Sequence, residues 1–510
     1  MFLTTVVCFS TGEVDPEFQR TERLAVGPLD SAGVFAPAGT TSSMDQISFG
    51  TDGWRATLDV FTEERVRIVG QAVADYLREE REAAASADGG ATVVVGYDAR
   101  ETSRGFAEEL SRVLCANGFD ALLPERDVPT PVVAWTVTDR DLAGALMITA
   151  SHNPPEYNGV KFVPADGAPA LPDVTEQVVA NLREPDPLPE AEHGSVEEAD
   201  VVGPYVEHAL EFVGDGELDL SGLTVAYDAM YGSGRGVTDR LLEAAGAEVV
   251  RLHDERDPEF GGTHPEPSGD RLTELVDRVQ SGEADLGVAN DGDADRIGVV
   301  TPERGYVDPN LYFTAMYDYL LESREGDAVR TVSTTFLVDR VAEAHGQSVH
   351  ETAVGFKWVA EAMADHDALL GGEESGGFGI RGHLRNKDGV LFALLTAAAE
   401  SEQPLDDRLD RVREAYGDVV QDRISVDCPD ARKAAVLDAL EDEIPDAVAG
   451  SAVETVATVD GFKLLLADGS WLLVRPSGTE PKLRIYAESS SEKRVKSLLA
   501  EGKELVTPLV

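Results

Sequence analysis

With 510 residues, 42% of them hydrophobic, the chain is too long for a single core, and we expect three or four domains. Acidic residues outnumber basic ones by 95 to 43, which gives a formal net charge of −52. This charge argues against nucleic acid and anionic membranes as partners, because both are bound through clusters of Lys and Arg.

The negative charge is spread along the whole chain rather than gathered in one tail. Nine lysines stand against 34 arginines, a pattern typical of halophilic proteins, in which multimolar salt screens the repulsion between acidic groups. An ordinary acidic protein is the alternative. Three widely separated cysteines predict neither a disulfide framework nor a metal site, and no apolar run approaches the roughly 18 residues of a membrane span. These features favour a cytoplasmic protein.

Residues 1–43 show no periodicity and are rich in Gly, Pro, Ser and Thr, so they predict a disordered leader or a misassigned start before Met44. Beyond them, helical and extended apolar patterns alternate. Helices are predicted over residues 62–85, 105–117, 405–416 and 431–443. Strands are predicted over residues 92–97, 121–123, 142–148, 286–289, 463–467, 471–476 and 483–488.

A strand–helix–strand unit recurs along the chain, starting near residues 92, 224 and 329. Such repetition predicts three related α/β domains, and the last part of the chain reads as a smaller α+β domain. Breaks in the pattern place the predicted boundaries between the domains. Domain I covers residues 44–200, domain II 201–302, domain III 303–404 and domain IV 405–510.

The first loop of chemical interest follows the buried strand predicted over residues 142–148. It reads Thr-Ala-Ser-His-Asn-Pro over residues 149–154 and presents the hydroxyl of Ser151 among turn-forming residues. In α/β sheets, ligands bind at the carboxyl ends of strands. Alone, the loop is equally compatible with a structural turn.

A second loop, at the end of the strand predicted over residues 286–289, contains Asp291, Asp293 and Asp295. Three carboxylates at alternate positions can converge on one hard cation. A solvated acidic turn is the alternative. The loop is a poor EF-hand, because Arg296 and Pro302 stand where Gly and Glu belong, and it also fits the haloacid-type phosphatase pattern badly.

Two glycine-containing loops complete the set. Residues 371–377 contain Glu373 and Ser375, which suit the hydroxyls of a sugar, although a plain Gly-rich hairpin would have the same composition. Residues 475–481, with Arg484 beyond, suit a phosphate dianion. Neither a Walker loop nor a dinucleotide fingerprint is present, since the glycines of residues 232–236 have the wrong spacing.

Taken in order, these loops resemble those of the α-D-phosphohexomutase family over about residues 47–488. The matching segments are residues 49–55, 149–154, 291–296, 372–376 and 475–481. The resemblance implies four domains around a central cleft: three related α/β mixed-sheet domains and a C-terminal α+β domain like the TATA-binding-protein fold. It also implies an intramolecular phosphotransferase that interconverts hexose 1-phosphate and hexose 6-phosphate through a phosphoserine and a hexose 1,6-bisphosphate.

The resemblance assigns a role to each candidate residue. Ser151 would carry the phosphate and, with the three aspartates, hold Mg²⁺. The predicted catalytic residues are Ser151, Arg55, Lys161, Arg296 and Lys387. The predicted substrate-binding residues are His152, Lys357, Glu373, Ser375, Arg475, Ser477, Gly478, Thr479 and Arg484. The last five would grip the phosphate that does not react, and His152 would shape the serine loop.

Four of the nine lysines fall in matching positions, namely Lys161, Lys357, Lys387 and Lys482. Their retention in a lysine-poor chain favours roles in the active site. We expect Lys161 or Lys387 to serve in proton transfer or phosphoryl contact, with a pKa that neighbouring cations could lower.

The sequence departs from the family at Gly377, where many bacterial members have His, and this weakens the resemblance to glucosamine mutases. The segment Lys387-Asp388-Gly389 resembles the phosphoglucomutase branch of the family, so glucose is the expected sugar and mannose the next candidate. Phosphoglucosamine mutase, a phosphatase and a non-catalytic protein that binds sugar phosphate or a divalent cation are the alternatives. The expected partner is a small-molecule sugar phosphate, with a monomer and a homo-oligomer both compatible with the sequence.

Overall fold

The computed structural model describes residues 43–50, 52–83, 91–214, 217–478 and 480–510. The leader predicted over residues 1–43 lies almost entirely outside this part, as does Thr479. Within it, the chain forms four sheets with helices packed on them. In the described part of the chain, no helix has both the length and the apolar character needed to cross a bilayer.

The first sheet has six strands in the order β1-β5-β4-β2-β3-β6. Its strands are β1 (Trp54–Thr57), β2 (Thr92–Tyr97), β3 (Asp120–Pro124), β4 (Gly144–Ile148), β5 (Tyr157–Pro164) and β6 (Val196–Ala199). Its helices are α1 (Glu63–Ala83), α2 (Ser103–Ala116), α3 (Thr130–Asp139) and α4 (Pro172–Ala180). Val93 and Val95 of β2 pack in one core with α1 and α2, while Val94 packs with α3, so β2 is apolar on both faces.

The second sheet has the order β11-β10-β9-β7-β8. Its elements are α5 (Val202–Gly214), β7 (Thr224–Asp228), α6 (Thr238–Ala244), β8 (Glu248–Leu252), α7 (Thr273–Gln280), β9 (Leu286–Asn290), β10 (Ile297–Thr301) and β11 (Gly305–Tyr306).

The third sheet has the order β13-β12-β14-β15. Its elements are α8 (Pro309–Leu321), β12 (Ala328–Thr331), α9 (Leu337–Ala344), β13 (Val349–Thr352), α10 (Phe356–His366), β14 (Leu370–Gly372), β15 (Phe378–Ile380), α11 (Gly389–Glu402) and α12 (Leu405–Tyr416). The sequence placed α12 in domain IV. Instead α12 packs on α8 and α9, because its apolar residues Leu405, Leu409 and Val412 join the core beneath the third sheet.

The fourth sheet is antiparallel throughout, in the order β16-β21-β20-β19-β18-β17. Its elements are β16 (Val420–Asp427), α13 (Asp430–Glu443), β17 (Ala447–Val448), β18 (Ser451–Ala457), β19 (Phe462–Leu466), β20 (Trp471–Pro476), β21 (Lys482–Ser489) and α14 (Glu492–Val506). Short 3₁₀ helices lie at Ser43–Gln46, Glu190–Glu192, Phe260–Gly262 and Thr507–Leu509.

The first three sheets share one four-strand unit, which confirms the predicted relation between these domains. A central strand (β2, β7 or β12) pairs in parallel with a strand on each side. The later of the two neighbours then forms an antiparallel hairpin with the strand that follows it, giving the pairs β4–β5, β9–β10 and β14–β15. The three hairpin loops contain the segments 149–154, 291–296 and 372–376, and they are called here the serine loop, the aspartate loop and the glutamate loop. Three of the four predicted chemical loops therefore occupy the same position in their repeats.

Candidate active site

Ser151 lies fully buried in the loop between β4 and β5, with a backbone φ of 51°. A residue other than Gly in this left-handed region carries strain of roughly 1–3 kcal/mol, which the surroundings must offset. The Ser151 amide donates a hydrogen bond to Thr149 Oγ1 at 2.8 Å. The Ser151 hydroxyl donates to Asp291 Oδ2, also at 2.8 Å. The structure therefore brings the predicted serine directly onto the aspartate loop.

The three aspartates of the loop between β9 and β10 converge as predicted. Asp291, Asp293 and Asp295 are buried, and each offers a carboxylate oxygen within 4.8 Å of the other two. One oxygen each of Asp293 and Asp295 is buried without a hydrogen-bond partner. Buried carboxylate oxygens without partners are costly unless a cation satisfies them, so the donor set fits a hard divalent ion such as Mg²⁺.

Gly292 makes the approach of the two loops possible. A Cβ atom built on Gly292 would lie 2.6 Å from the Ser151 carbonyl oxygen, closer than real Cβ contacts allow. Only glycine therefore permits the aspartate loop to press against the serine loop at this point.

Two lysines neutralise the acidic cluster. Lys161 donates to Asp293 Oδ2 at 2.8 Å and to Asp295 Oδ2 at 2.9 Å. The Lys387 ammonium lies 2.9 Å from the same Asp295 oxygen. Both lysines also face Asp52 Oδ2, at 3.0 and 3.5 Å. Residues from three of the sheets therefore meet in one buried ionic network.

The expectation that neighbouring cations lower the pKa of these lysines is wrong. Burial opposes the charged form of Lys161, but Asp293, Asp295 and Asp52 outweigh it and raise the pKa well above its usual value. For Lys387, Asp295 and Asp52 likewise overcome burial and raise the pKa. The carboxylates of the cluster therefore favour the charged form of both ammonium groups. Lys357 differs, because burial lowers its pKa and only Asp52 opposes the shift.

The pKa values of the acidic groups diverge in the same network. Burial, followed by the charges of Asp293 and Asp295, raises the pKa of Asp291 well above its usual value. Burial also opposes ionisation of Asp52, but Lys161, Lys387 and Arg55 together hold its pKa well below normal. A bound cation would remove the repulsion that keeps Asp291 from ionising.

His152 and Arg296 flank the serine. The His152 Nδ1 atom lies 3.3 Å from Ser151 Oγ. Burial, then the charges of Arg296 and Arg55, lowers the pKa of His152 well below its usual value, so the ring is neutral. The Arg296 amide donates to Asp291 Oδ1 at 3.1 Å, and its buried Nε has no hydrogen-bond partner. Such a donor is suited to an anionic oxygen.

Arg55 lies at the edge of the serine loop. Its guanidinium contacts Asp52 Oδ2 at 3.0 Å and donates to Asn153 Oδ1 at 3.2 Å. Arg55 is therefore held beside the serine by Asp52 and by the loop itself.

The loop between β14 and β15 is a tight hairpin that carries the predicted sugar-binding side chains. Glu373 is buried, and burial raises the pKa of its carboxyl group, with Lys387 opposing the shift. The Glu373 carboxylate accepts a hydrogen bond from the Gly355 amide at 3.0 Å. The Ser375 hydroxyl is buried without a partner. Both side chains therefore retain hydrogen-bonding capacity that a polyhydroxylated ligand could use.

Gly377, the position where the sequence departs from the family pattern, lies against the side chain of Lys387. A Cβ atom on Gly377 would lie 2.4 Å from Lys387 Cδ and 2.8 Å from Lys387 Cγ. The Lys387 side chain thus fills the space beside the glycine, and its ammonium group pairs with Asp295.

The predicted phosphate loop joins β20 to β21 in the fourth sheet. Arg475 and Arg484 are direct partners on these antiparallel strands. Glu480 accepts from Arg484 at 2.9 Å and from Lys482 at 2.8 Å, and the Glu480 amide donates to Ser477 Oγ at 3.2 Å. Gly478 lies in this loop, and Thr479 lies outside the described residues. The loop holds several cationic groups in a small region.

Asp460 connects this loop to the third sheet. Its carboxylate accepts from Arg475 Nε at 2.8 Å and from the Val354 amide at 3.1 Å. Val354 precedes α10, the helix that carries Lys357.

The sequence missed three residues of these networks. Asp52 lies in the matching segment 49–55 but was given no role. Thr130 begins α3 and donates its hydroxyl to Asp293 Oδ2 at 2.7 Å. Asp460 lies in a turn without any recognisable pattern. For Thr130 and Asp460 no local signal exists, because their partners Asp293 and Val354 lie 163 and 106 residues away along the chain.

Family models for all four domains of phosphoglucomutase/phosphomannomutase match the chain. The α/β/α domains I, II and III match residues 46–188, 203–305 and 308–416, and the C-terminal domain matches residues 424–504. The third match includes α12, in line with the packing of that helix.

Curated relatives cover nearly the same region. A "Probable phosphoglucosamine mutase" of Methanopyrus kandleri is 33% identical over 90% of this chain and 97% of its own length. A "Phosphoglucomutase/phosphomannomutase" of Thermococcus kodakarensis is 31% identical over 90% of this chain and 98% of its own. A crystal structure from Thermus thermophilus, provisionally named phosphomannomutase, has a TM-score of 0.78 and 32% identity, covering 91% of this chain and 99% of that one.

The four matching domains, the order of the loops and the extent of these relatives agree with one another. The chain belongs to the phosphoglucomutase/phosphomannomutase family of α-D-phosphohexomutases, enzymes that transfer phosphate intramolecularly.

Proposed function

We propose that this phosphohexomutase is a phosphoglucosamine mutase that works through a phosphoserine at Ser151. The observation that carries the mechanism is the 2.8 Å hydrogen bond from Ser151 Oγ to Asp291, inside a cluster of three aspartates and two lysines. A hydroxyl placed among fixed cations and potential metal ligands is suited to carry and donate a phosphoryl group.

The proposed reaction has two balanced half-reactions. The bond between Ser151 Oγ and phosphorus breaks as the free hydroxyl of a hexose monophosphate takes the phosphoryl group, and the proton of that hydroxyl ends on Ser151 Oγ. The sugar thereby becomes the 1,6-bisphosphate. The bisphosphate turns end for end and returns its other phosphoryl group to Ser151. The released monophosphate is the isomer of the substrate.

Asp291, Asp293 and Asp295 would hold Mg²⁺, together with an oxygen on Ser151. The oxygens of Asp293 and Asp295 that lack a hydrogen-bond partner support this assignment. The ion would supply positive charge beside the group in transfer. Because the ammonium groups of Lys161 and Lys387 are held in ion pairs with the aspartate cluster, we assign them to phosphoryl contact rather than to proton abstraction. Arg296 would add a further donor through its Nε, which lies 3.9 Å from Asp295 Oδ1 and has no hydrogen-bond partner.

The proposed sugar and phosphate contacts lie on the other two loops. Glu373 and Ser375 would bind sugar hydroxyls, and Lys357 would contribute a cation beside them. The residues gripping the second phosphate would be Arg475, Ser477, Gly478, Thr479 and Arg484. These residues must bind a phosphate on either C1 or C6 of the sugar, because the bisphosphate is bound in two orientations.

The choice of sugar rests on the relatives. The sequence favoured glucose because residues 387–389 resemble the phosphoglucomutase branch, and Gly377, in place of His, weakened the resemblance to glucosamine mutases. The curated relatives from Methanopyrus kandleri and Methanothermobacter thermautotrophicus, 33% and 34% identical, both have names that specify phosphoglucosamine mutase. Lys387 fills the space beside Gly377. The absence of His at this position therefore does not by itself argue against an amino sugar. Glucosamine phosphate is therefore the better-supported substrate.

The test compares kcat/KM for glucosamine 1-phosphate, glucose 1-phosphate and mannose 1-phosphate, in multimolar KCl with Mg²⁺ and the matching bisphosphate. We expect glucosamine 1-phosphate to have the highest value by about tenfold or more, the ratio that about 1.4 kcal/mol of selective transition-state binding produces. A higher value for glucose or mannose would instead support a phosphoglucomutase/phosphomannomutase, as the name of the Thermococcus kodakarensis relative suggests.

A further inference from the structure

Arg100 is a buried arginine next to the serine loop that none of the proposed roles uses. It is 2% exposed and lies just after β2, whereas the serine loop follows β4, the parallel neighbour of β2. Its guanidinium is directed at the backbone of the serine loop rather than at a side chain that would react.

All three nitrogen atoms of the Arg100 guanidinium donate hydrogen bonds. Nη2 donates to the carbonyl oxygens of Ser151 at 2.8 Å and Asn153 at 2.7 Å, and Nη1 donates to that of Pro154 at 2.8 Å. Nε donates to Asp98 Oδ2 at 3.0 Å. A guanidinium can satisfy three carbonyls and a carboxylate together because its donors form a rigid planar fork.

Asp98 links the same guanidinium to the amide side of Ser151. Asp98 is 1% exposed and accepts hydrogen bonds from Ser103 Oγ at 2.6 Å and from Thr149 Oγ1 at 2.8 Å. Thr149 Oγ1 in turn accepts from the Ser151 amide. Both the amide and the carbonyl of Ser151 are therefore tied, directly or through one residue, to the Asp98–Arg100 pair.

Residues between β8 and α7, in the domain of the second sheet, pack against Arg100. The ring of Phe260 lies 4.9 Å from the Arg100 guanidinium carbon, and Arg256 donates to the Arg100 carbonyl at 3.3 Å. Gly292 of the aspartate loop lies against the Ser151 carbonyl oxygen that Arg100 holds. The position of that oxygen thus sets how the serine loop meets the aspartate loop.

We propose that Arg100, oriented by Asp98, is a positioning residue that holds Ser151 in its left-handed backbone conformation and so directs Ser151 Oγ at the aspartate cluster. Arg100 does not touch the reacting atoms. It acts through the loop backbone, on the geometry of phosphoryl transfer rather than on sugar binding. The catalytic part of this proposal rests on the phosphoserine function proposed above.

The test measures phosphorylation of Ser151 by hexose 1,6-bisphosphate, followed by intact mass, and the steady-state kinetics of Arg100→Lys. Lysine keeps the charge but has one nitrogen, so it cannot reach all three carbonyls. We expect phosphorylation and kcat to fall about 10- to 100-fold, the effect of a small misplacement of a reacting group, while KM for the sugar phosphate changes less than about twofold.

Arg408→Lys is the matched control. Arg408 lies in α12, away from the serine loop, and is also 2% exposed. Its guanidinium contacts Glu322 at 2.9 Å and a backbone carbonyl at 3.3 Å, and it packs over the ring of Tyr319. We expect this variant to lose thermal stability as Arg100→Lys does but to keep the wild-type phosphorylation rate. Equal slowing in both variants would overturn the proposal, since it would show a general effect of a buried Arg→Lys change.

Thr149→Val is the second variant, because it cuts the link between Asp98 and the Ser151 amide without removing a charge. We expect it to fold and to slow phosphorylation while leaving KM near wild type. If Arg100→Lys fails to fold, a wild-type rate in Thr149→Val overturns the proposal. A wild-type rate in a folded Arg100→Lys also overturns it. An unphosphorylated, active wild-type enzyme would instead overturn the proposed function and the catalytic part of this inference with it.

Discussion

At the residue scale, the site depends on long-range charge pairing that single loops do not reveal. The serine loop and the three aspartates could be identified from the sequence, because each set is contiguous and follows a recognisable strand. The raised pKa of Lys161 could not, since it arises from carboxylates on two separate loops. Local patterns predict which groups are present, whereas the protonation state depends on the groups that the fold brings beside them.

Gly377→Ala tests the packing of Lys387. The new Cβ would lie 2.4 Å from Lys387 Cδ, so the lysine must move away from Asp295. We expect kcat to fall about 10- to 100-fold with a small change in the melting temperature, because the site is disturbed more than the core. Steady-state kinetics and thermal unfolding measure the two effects.

Gly105→Ala is the matched control, since nothing lies within 4 Å of the Cβ position of this exposed glycine in α2. It should keep wild-type kcat and gain up to about 1 kcal/mol in helix stability. An unchanged kcat in Gly377→Ala would show that Lys387 does not need its present position.

At the scale of elements, three of the four chemical loops occupy equivalent hairpins in three related sheets. The repeated strand–helix–strand pattern predicted the related domains, and several elements were predicted with their observed bounds, such as β2, β20 and α12. The packing of α12 on the third domain was not predicted. The amphipathic pattern of that helix shows that one face is buried, but not which core receives it.

The third and fourth sheets meet at an ion pair in which the lysine is buried and the glutamate is partly exposed. Lys463 of β19 is 1% exposed, and its ammonium lies 2.7 Å from Glu351 of β13. The same ammonium lies 4.2 Å and 4.5 Å from the ring centres of Phe336 and Trp471. Burial, followed by the charge of Arg330, lowers the pKa of Lys463 to about 8. Keeping the Lys463 ammonium charged in the folded protein therefore costs free energy.

Lys463→Met tests this interface through the pH dependence of stability. Between pH 8 and the usual lysine pKa of 10.5 the unfolded chain binds more protons at this position than the folded chain, so wild-type stability gains from rising pH in that window. Methionine has no such gain. We expect any stability advantage of Lys463→Met at pH 7 to shrink as pH rises to 10, measured by denaturant unfolding.

Lys496→Met provides the comparison, because Lys496 is exposed in α14 and pairs with Glu492 at 3.0 Å on the surface of that helix. Its stability relative to wild type should change little over the same pH range. A Lys463→Met difference that stays constant or grows with pH would contradict the lowered pKa.

At the scale of the whole molecule, the net charge of −52 is the dominant feature. Much of the described surface is acidic, and pairs such as Arg104–Glu198 and Arg278–Glu283 offset only part of the repulsion. Salt reduces the range of the remaining repulsion to about 3 Å at 1 M.

We expect the melting temperature to rise continuously between about 0.1 and 2 M KCl, because screening relieves repulsion that is larger in the compact state. Differential scanning calorimetry measures this rise, and a neutral osmolyte at the same osmolality separates screening from solvent exclusion. A melting temperature that falls, or that rises equally with the osmolyte, would favour an ordinary acidic protein.

The central claim, that Ser151 carries the transferred phosphoryl group, is tested most directly by intact mass and peptide mapping before and during turnover. We predict an addition of about 80 Da at Ser151 that forms with hexose 1,6-bisphosphate and is lost to excess hexose monophosphate. Ser151→Ala should lack both the added mass and isomer exchange, while Ser401→Ala, at a serine near the end of α11, should retain both. Isomer exchange by an enzyme that is never phosphorylated, or by Ser151→Ala, would contradict the account.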